Sequence, residues 1–129
     1  MTRVRRAEAD EYRALMRVVE GALLDVDPET VRAALDDGRA LVAVDDGRVV
    51  GGLVHEDGKI VAVAVAPGRR GEGLGRTLVD RADAATDGPL TATFDGRVRG
   101  FYESLGFEIE ERDGAEETNG TDRFAGVRR

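Results

Sequence analysis

The amino-acid sequence predicts an α/β (α+β) domain built on a mixed, mostly antiparallel sheet of six to seven strands flanked by about four helices. Short extended segments joined by tight turns in the middle of the chain indicate antiparallel strands. Farther on, an apolar strand, a glycine-rich loop, an amphipathic helix and another strand follow in order, which indicates a parallel crossover. A length of 129 residues fits one domain, residues 1–129.

The N-terminal third predicts one strand and two helices. Residues 3–6 fit a short first strand. The second helix has clear ends, because Asp27 can cap it, Pro28 suits its first position and Gly38 suits its stop. The first helix is indicated by apolar residues at helical spacing, namely Tyr12, Leu15, Met16, Val19, Ala22 and Leu23.

The middle of the chain predicts three consecutive strands. Residues 41–44 and 49–55 are extended runs joined by Asp45, Asp46 and Gly47, which are residues of a tight hairpin turn. A second turn at 56–58 leads into residues 60–66, which are apolar at every position. Such a run is typical of a strand covered on both faces, so this fourth strand should lie in the middle of the sheet.

The C-terminal half predicts the crossover and a final group of strands. A helix should start near Gly73, with its inner face formed by Leu74, Leu78, Val79, Ala82 and Ala85. After it come a parallel strand at 90–94, a helix at 98–105 ended by Gly106, and strands at 107–109 and near 124–127. The polar segment 113–122 is either a long hairpin loop or a mobile segment near the active site.

The charge balance excludes several classes of partner. The chain has 26 acidic and 19 basic residues, for a net charge of -7, and Lys59 is its only lysine. A negative surface repels duplex DNA and anionic membranes, so neither is expected as a partner. An acidic, lysine-poor surface is typical of proteins from salt-loving microbes, although a GC-rich genome favours the same residues.

Targeting signals and cysteine chemistry are not expected either. The sequence has neither the roughly 20 apolar residues needed to span a bilayer nor an apolar secretory signal at its start, which predicts a cytoplasmic protein. It has no cysteine, which excludes disulfides, thiolate metal sites and a cysteine nucleophile. No metal site is predicted.

The loop between the fourth strand and the third helix carries the chemistry. Unpaired N–H groups at a helix start, with glycines that let an anion approach the backbone, predict a site for a phosphate-bearing cofactor. The P-loop and dinucleotide spacings do not fit, because no Gly-Lys-Ser/Thr is present and the third glycine comes one place early. The alternative is that the glycines only make a tight turn. The loop is Arg70, Gly71, Glu72, Gly73, Leu74 and Gly75.

Two motifs in this region resemble those of the GNAT acetyltransferases. Arg70, Gly73 and Gly75 satisfy the family's acetyl-CoA motif, which is Arg or Gln, two residues, Gly, one residue, then Gly or Ala. The second landmark is Phe101-Tyr102-Glu103-Ser104-Leu105-Gly106-Phe107. The resemblance covers residues 60–107, and the preceding elements match the family's order by pattern alone.

The resemblance implies a cofactor site for acetyl-CoA. In the family the fourth strand splays from the fifth and the pantetheine arm pairs with its backbone, which corresponds here to Val63, Ala64 and Val65. Asp95 stands where many relatives carry an asparagine that contacts the arm, and this departure weakens its assignment. We expect Glu72 to turn to solvent and to be neutral for function. The loop residues implied in pyrophosphate binding are Arg70, Gly71, Glu72, Gly73, Leu74, Gly75 and Arg76.

The resemblance also implies direct attack of a deprotonated amine on acetyl-CoA. Tyr102 matches the family residue that protonates or hydrogen-bonds the departing sulfur; the alternative is that it only packs beneath the sheet. The general base is not identified, because residues 60–66 contain no acid. The candidates for the base lie at predicted strand ends and are His55, Glu56, Asp57 and Asp95. A lone histidine beside a turn is usually solvated. The alternative is a base that acts through a water molecule.

Two rival functions and several acceptors stay open. The chain could be an acyl-CoA-binding regulatory module without transfer, or a purely structural domain. The acceptor could be a small amine, an antibiotic, a polyamine or a peptide N-terminus. A homodimer is common among relatives, but no sequence feature decides it.

Overall fold

The computed structural model describes residues 2–21, 26–111 and 123–128. Ala22, Leu23 and the polar segment 113–122 therefore lie outside the described residues. Short 3-10 turns at Ala9–Glu11, Pro67–Arg69 and Gly96–Val98 connect the main elements. Those elements, in chain order, are β1 Thr2–Arg6, α1 Tyr12–Gly21, α2 Pro28–Asp37, β2 Ala40–Asp45, β3 Arg48–Glu56, β4 Lys59–Val65, α3 Leu74–Ala84, β5 Leu90–Asp95, α4 Arg99–Ser104, β6 Glu108–Glu111 and β7 Arg123–Arg128.

The strands form one seven-stranded sheet in the order β1-β2-β3-β4-β5-β7-β6. Every neighbouring pair is antiparallel except β4 and β5, which are parallel. The strand β4 is the fourth of seven, which confirms its predicted central place. The mixed, mostly antiparallel sheet predicted from the sequence is also confirmed.

Local turn and cap signals act as the sequence predicts. Asp46 and Gly47 join β2 to β3 with φ of 56° and 78°, the left-handed pair that matches the twist of a two-residue hairpin. At the start of α2 the Asp27 carboxylate accepts a hydrogen bond from the Glu29 N–H at 3.0 Å. Gly38 ends the same helix with φ of 75°. These ends depend on neighbouring residues only, which is why the sequence reveals them.

The sheet has a hydrophobic core on each face. One core joins α1 and α2 to the sheet through residues such as Leu15 and Val31, and it includes Ala62 and Ala64 of β4. The other core joins α3 and α4 to the opposite face, and it includes Ile60 of β4. The central strand is thus covered from both sides, in agreement with its continuous apolar sequence.

Close packing of α1 on β3 requires a glycine at position 52. A methyl group built at Gly52 would collide with the end of the Leu15 side chain, which is fully buried. We expect Gly52→Ala to lower the free energy of unfolding by about 1–3 kcal/mol, as in other overpacked cores, measured by urea denaturation.

Gly100→Ala is the matched control, since nothing lies within 4 Å of the added methyl group on α4. Alanine also favours helix more than glycine does, so this variant should be as stable as the parent or more so. Equal stability of the two variants would contradict the packing argument.

Candidate functional site

The strands β4 and β5 separate soon after they meet. Their ladder contains only Lys59 opposite Thr91 and Ile60 opposite Ala92, although β4 continues to Val65 and β5 to Asp95. On its other side β4 pairs with β3 as far as Val65. The sheet therefore opens between β4 and β5, and the predicted splay is confirmed.

The backbone of β4 presents polar groups to this opening. The Ala66 N–H donates a hydrogen bond to the Val50 carbonyl of β3 at 2.9 Å. Because successive residues of a strand direct their N–H and C=O groups to alternate sides, those of Val63 and Val65 point toward β5. Those of Ala64 point toward β3, and its methyl group is buried in the core with α1 and α2. The opening thus offers the edge of a strand that β5 does not pair, at two of the three predicted positions.

The glycine loop lies at the wide end of the opening and leads into α3. Gly71 and Gly73 have φ of 86° and 82°, a left-handed conformation that explains the glycines there. Gly73 is the N-cap and provides no side-chain cap. The first helical hydrogen bond runs from the Thr77 N–H to the Gly73 carbonyl at 3.0 Å. The N–H groups of the first helical turn consequently point out of the helix end, where they can bind an anion.

The third glycine of the loop allows two helices to approach each other. A methyl group built at Gly75 would lie 2.9 Å from Cε1 of Phe101 and 4.0 Å from Cγ2 of Val65. The start of α3 therefore packs directly against α4 and the end of β4. This contact joins the two sequence motifs, which are about 30 residues apart in the chain, into one site.

Arginine side chains fix the loop to its surroundings. The Arg70 Nε–H donates to the Val65 carbonyl at 3.1 Å, at the edge of the opening. Arg76 donates to the Ser104 carbonyl at the end of α4, at 2.7 Å. The Glu72 carboxylate is turned to Arg69, whose Nε lies 3.0 Å from its Oε1. Arg69 was not predicted, although its spacing of three residues from Glu72 is a local signal for an ion pair.

Tyr102 lies in an aromatic cluster on the β5 side of the opening. Its ring stacks on Phe94 with centroids 4.3 Å apart, and Phe101 and Phe107 contact it edge-on. The side chain is buried at 5% exposure, and burial raises the pKa of Tyr102 to about 12. Its hydroxyl is therefore protonated at neutral pH and can donate a hydrogen bond. The packing that the sequence offered as the alternative for Tyr102 is therefore present in the structure.

His55 is buried, so the expectation of a solvated histidine is wrong. It is 8% exposed at the end of β3, opposite Ile60, and Nδ1 is buried without a hydrogen-bond partner. A β-bulge lies between Val54 and His55. The Arg39 guanidinium donates to the His55 carbonyl at 2.7 Å, so Arg39 packs against this end of the strand. Burial, aided by Arg39 and opposed by Asp57, lowers the pKa of His55.

The other predicted residues fall at the edges of the site. Asp95 ends β5 across the opening from β4, and Glu56 and Asp57 are exposed at the β3–β4 turn. Within the described ranges, no three acidic or histidine side chains are grouped as metal ligands would be. None of the helices described is both long enough and apolar enough to span a bilayer.

A seven-stranded sheet opened between β4 and β5, with an uncapped helix start at the wide end of the opening, defines the class of acyl-transferring enzymes that the two motifs resemble. The sequence model of the Acetyltransferase (GNAT) domain family matches residues 36–109, which is more than half of the chain. The chain belongs to the GNAT acetyltransferase family.

Solved structures share the fold over nearly the whole chain at low sequence identity. A GNAT acetyltransferase from Bacillus cereus has a TM-score of 0.85 at 14% identity, covering 100% of this chain and 97% of that one. The protein yncA from Salmonella typhimurium, solved with its cofactor acetyl-CoA, has a TM-score of 0.78 at 19% identity, covering 100% of this chain and 94% of that one.

A third structure carries an acceptor as well as a cofactor. The diaminobutyrate acetyltransferase EctA from Paenibacillus lautus, in complex with L-2,4-diaminobutyric acid and coenzyme A, has a TM-score of 0.73 at 18% identity, covering 98% of this chain and 94% of that one. No curated relative matches the sequence.

The buried histidine makes a prediction about acid stability. His55 is the only histidine, and its pKa in the folded protein lies below the ordinary 6.5. As the pH falls below about 6.5, His55 becomes protonated in the unfolded chain but stays neutral in the folded one. Stability therefore falls until the pH reaches the lowered pKa of the folded protein. The free energy of unfolding should thus decrease as the pH is lowered through about 6.5.

His55→Gln should flatten this decrease, because glutamine does not titrate in that range. The comparison uses the slope of stability against pH in urea denaturation, so any constant loss of stability in the variant cancels. Identical slopes for the two proteins would show that His55 is not kept neutral by the fold.

Proposed function

We propose that this chain transfers the acetyl group of acetyl-CoA directly to an amine. The observation that carries the proposal is the meeting of two sets of backbone groups that the sheet and the helix do not pair, apart from the Val65 carbonyl, which accepts from Arg70. The edge of β4 at Val63 and Val65 faces the opening, and the free N–H groups at the start of α3 lie at its wide end. An extended arm with amide groups, ending in a pyrophosphate, has the chemistry to satisfy both sets at once.

The residues present fit coenzyme A. Val63 and Val65 would hold the pantetheine arm by strand-like hydrogen bonds, and the amides from Gly71 to Arg76 would hold the pyrophosphate. Nothing lies within 4 Å of a methyl group built at Gly71 or Gly73, so the backbone there is open to a ligand. When bound, acetyl-CoA supplies an acetyl group activated as a thioester.

Tyr102 would stabilise the departing sulfur. Its hydroxyl is protonated because burial raises its pKa to about 12. A thiol has a pKa of about 8.5, so complete proton transfer from Tyr102 to the thiolate is unfavourable, whereas donation of a hydrogen bond is not. The hydroxyl would therefore act by hydrogen bonding as negative charge develops on the sulfur.

The acceptor amine would lose its proton to water in the opening. The strand β4 carries no acidic side chain from Ile60 to Val65, and the His55 imidazole is enclosed at the end of β3. The fraction of unprotonated amine then limits the reaction. The value of kcat/KM should rise with pH toward the pKa of the amine.

The charge of the chain favours a cationic acceptor. A net charge of -7 attracts amines to the protein. Near the narrow end of the opening, β5, β7 and β6 form a hollow whose lining includes both charge signs, with Lys59 as well as Thr91, Thr93, Glu108 and Glu110. We place the reaction in the cytoplasm, with a small-molecule or peptide amine as the acceptor.

Binding of the cofactor is tested by replacing the N-cap glycine. Gly73→Ala should weaken CoA binding about tenfold in calorimetry, because the added methyl group disfavours φ of 82° and obstructs the anion's approach to the backbone. Gly68→Ala is the control, since Gly68 has neither a positive φ nor a neighbour within 4 Å of the methyl group. Equal CoA affinities of the two variants would contradict binding at this loop.

Catalysis is tested by removing the Tyr102 hydroxyl. Tyr102→Phe keeps the aromatic packing, so CoA affinity should be unchanged while kcat falls about tenfold, the cost of one lost hydrogen bond to a charged group. The measurement is release of free thiol from acetyl-CoA with a panel of small amines and diamines. If the parent protein binds CoA but acetylates no amine, the acyl-CoA-binding module becomes the better description.

A further inference from the structure

Arg69 connects the glycine loop to the N-terminal half of the sheet. Its guanidinium Nη1 lies 2.7 Å from Asp45 Oδ2 at the end of β2. Nη2 donates to the Thr2 hydroxyl of β1 at 3.1 Å, and Nε lies 3.0 Å from Glu72 Oε1 in the loop. One side chain thus contacts β1, β2 and the loop that begins directly after it.

The acidic residue in this network is placed where an anion should bind. Glu72 precedes the N-cap Gly73, so its carboxylate competes for the same positive helix end that would hold the pyrophosphate. An unpaired Glu72 would repel the cofactor. In the structure its charge is matched by Arg69, so the carboxylate is held in an ion pair beside the loop.

The contact with Asp45 fixes the guanidinium in this position. The side chains of Arg69 and Asp45 are 27% and 24% exposed, against 46% for Glu72, so the Asp45 contact is the more sheltered of the two. Asp45 is itself held in the β2 ladder opposite Thr2 and Arg48. Nothing lies within 4 Å of a Cβ built on Gly71 or Gly73, so the loop backbone beside Glu72 is open.

We propose that Arg69 is a positioning residue for the cofactor, which acts by neutralising Glu72 so that the loop can accept a pyrophosphate. The inference rests on the proposed function. Arg69 itself stays with Asp45 and Glu72 and makes no contact with the phosphates. Its effect on binding is therefore electrostatic and passes through Glu72.

A double-mutant cycle on CoA affinity tests this proposal. Arg69→Gln leaves the loop one charge more negative and should weaken CoA binding about two- to fivefold at low salt, the usual effect of a charge at a helix start. Glu72→Gln should leave CoA affinity within about twofold of the parent, because Arg69 already matches the charge of Glu72 and remains paired with Asp45 in the variant. Arg69→Gln should therefore have no further effect once Glu72 is uncharged. The double variant restores the parent's loop charge, so its affinity should return to within about twofold of the parent, and salt should reduce all the differences.

Two further variants separate this role from a structural one. Asp45→Asn removes the anchor but no loop charge, so it should lower the melting temperature while CoA affinity stays within about twofold of the parent. Arg32→Gln breaks an arginine–glutamate pair of the same spacing on α2 and should not change CoA affinity. Calorimetry at low and high salt gives the affinities, and thermal unfolding gives the stabilities.

Each outcome of the cycle has a clear meaning. If the double variant binds as weakly as Arg69→Gln, Arg69 contacts the phosphates directly and the proposal is wrong. It is also wrong if Arg69→Gln binds CoA as the parent does, or if Asp45→Asn weakens binding as much as Arg69→Gln. Failure of the parent itself to bind CoA would instead overturn the proposed function.

Discussion

The parallel pairing of β4 with β5 ends after two residue pairs, and the arrangement of the site depends on that early end. A strand in the middle of a sheet normally has both edges hydrogen-bonded, and unpaired backbone groups are costly when they are shielded from water. Here β3 pairs with one edge of β4 along its length, while Val63 and Val65 face the opening on the other. A ligand with its own amide groups can therefore form hydrogen bonds with this exposed edge.

The packing of α3 and α4 keeps the opening in place. Gly75 lets the start of α3 approach Phe101, and Arg76 binds the carbonyl end of α4. Tyr102, next to Phe101, is stacked on Phe94 of β5. The two helices thus hold the diverging strands at fixed positions, and the uncapped helix start and the buried phenol are placed by the same contacts.

Features set by neighbouring residues could be read from the sequence, whereas features set by distant contacts could not. The Asp27 cap, the Asp46-Gly47 turn and the glycine loop depend on short stretches of chain, and the structure has all three. The burial of His55 depends on a bulge and on Arg39, and the ion pair of Arg69 with Asp45 joins residues 24 apart.

The direction in which the Ala64 backbone groups point is another feature that distant contacts determine. Its direction follows from the pairing register with β3, which the apolar run at 60–66 does not specify because every position in it is hydrophobic. The sequence thus located the strand beside the glycine loop but did not show which of its residues face the opening.

The sheet order has a consequence for how the chain reaches its native state. The strand β7 lies between β5 and β6, although it follows both in sequence, and β6 has no other partner among the described strands. During synthesis β6 therefore stays unpaired until β7 has been made and has inserted beside β5. The N-terminal hairpins can form early from local contacts. The half of the sheet that contains β5, β7 and β6 should therefore be completed last.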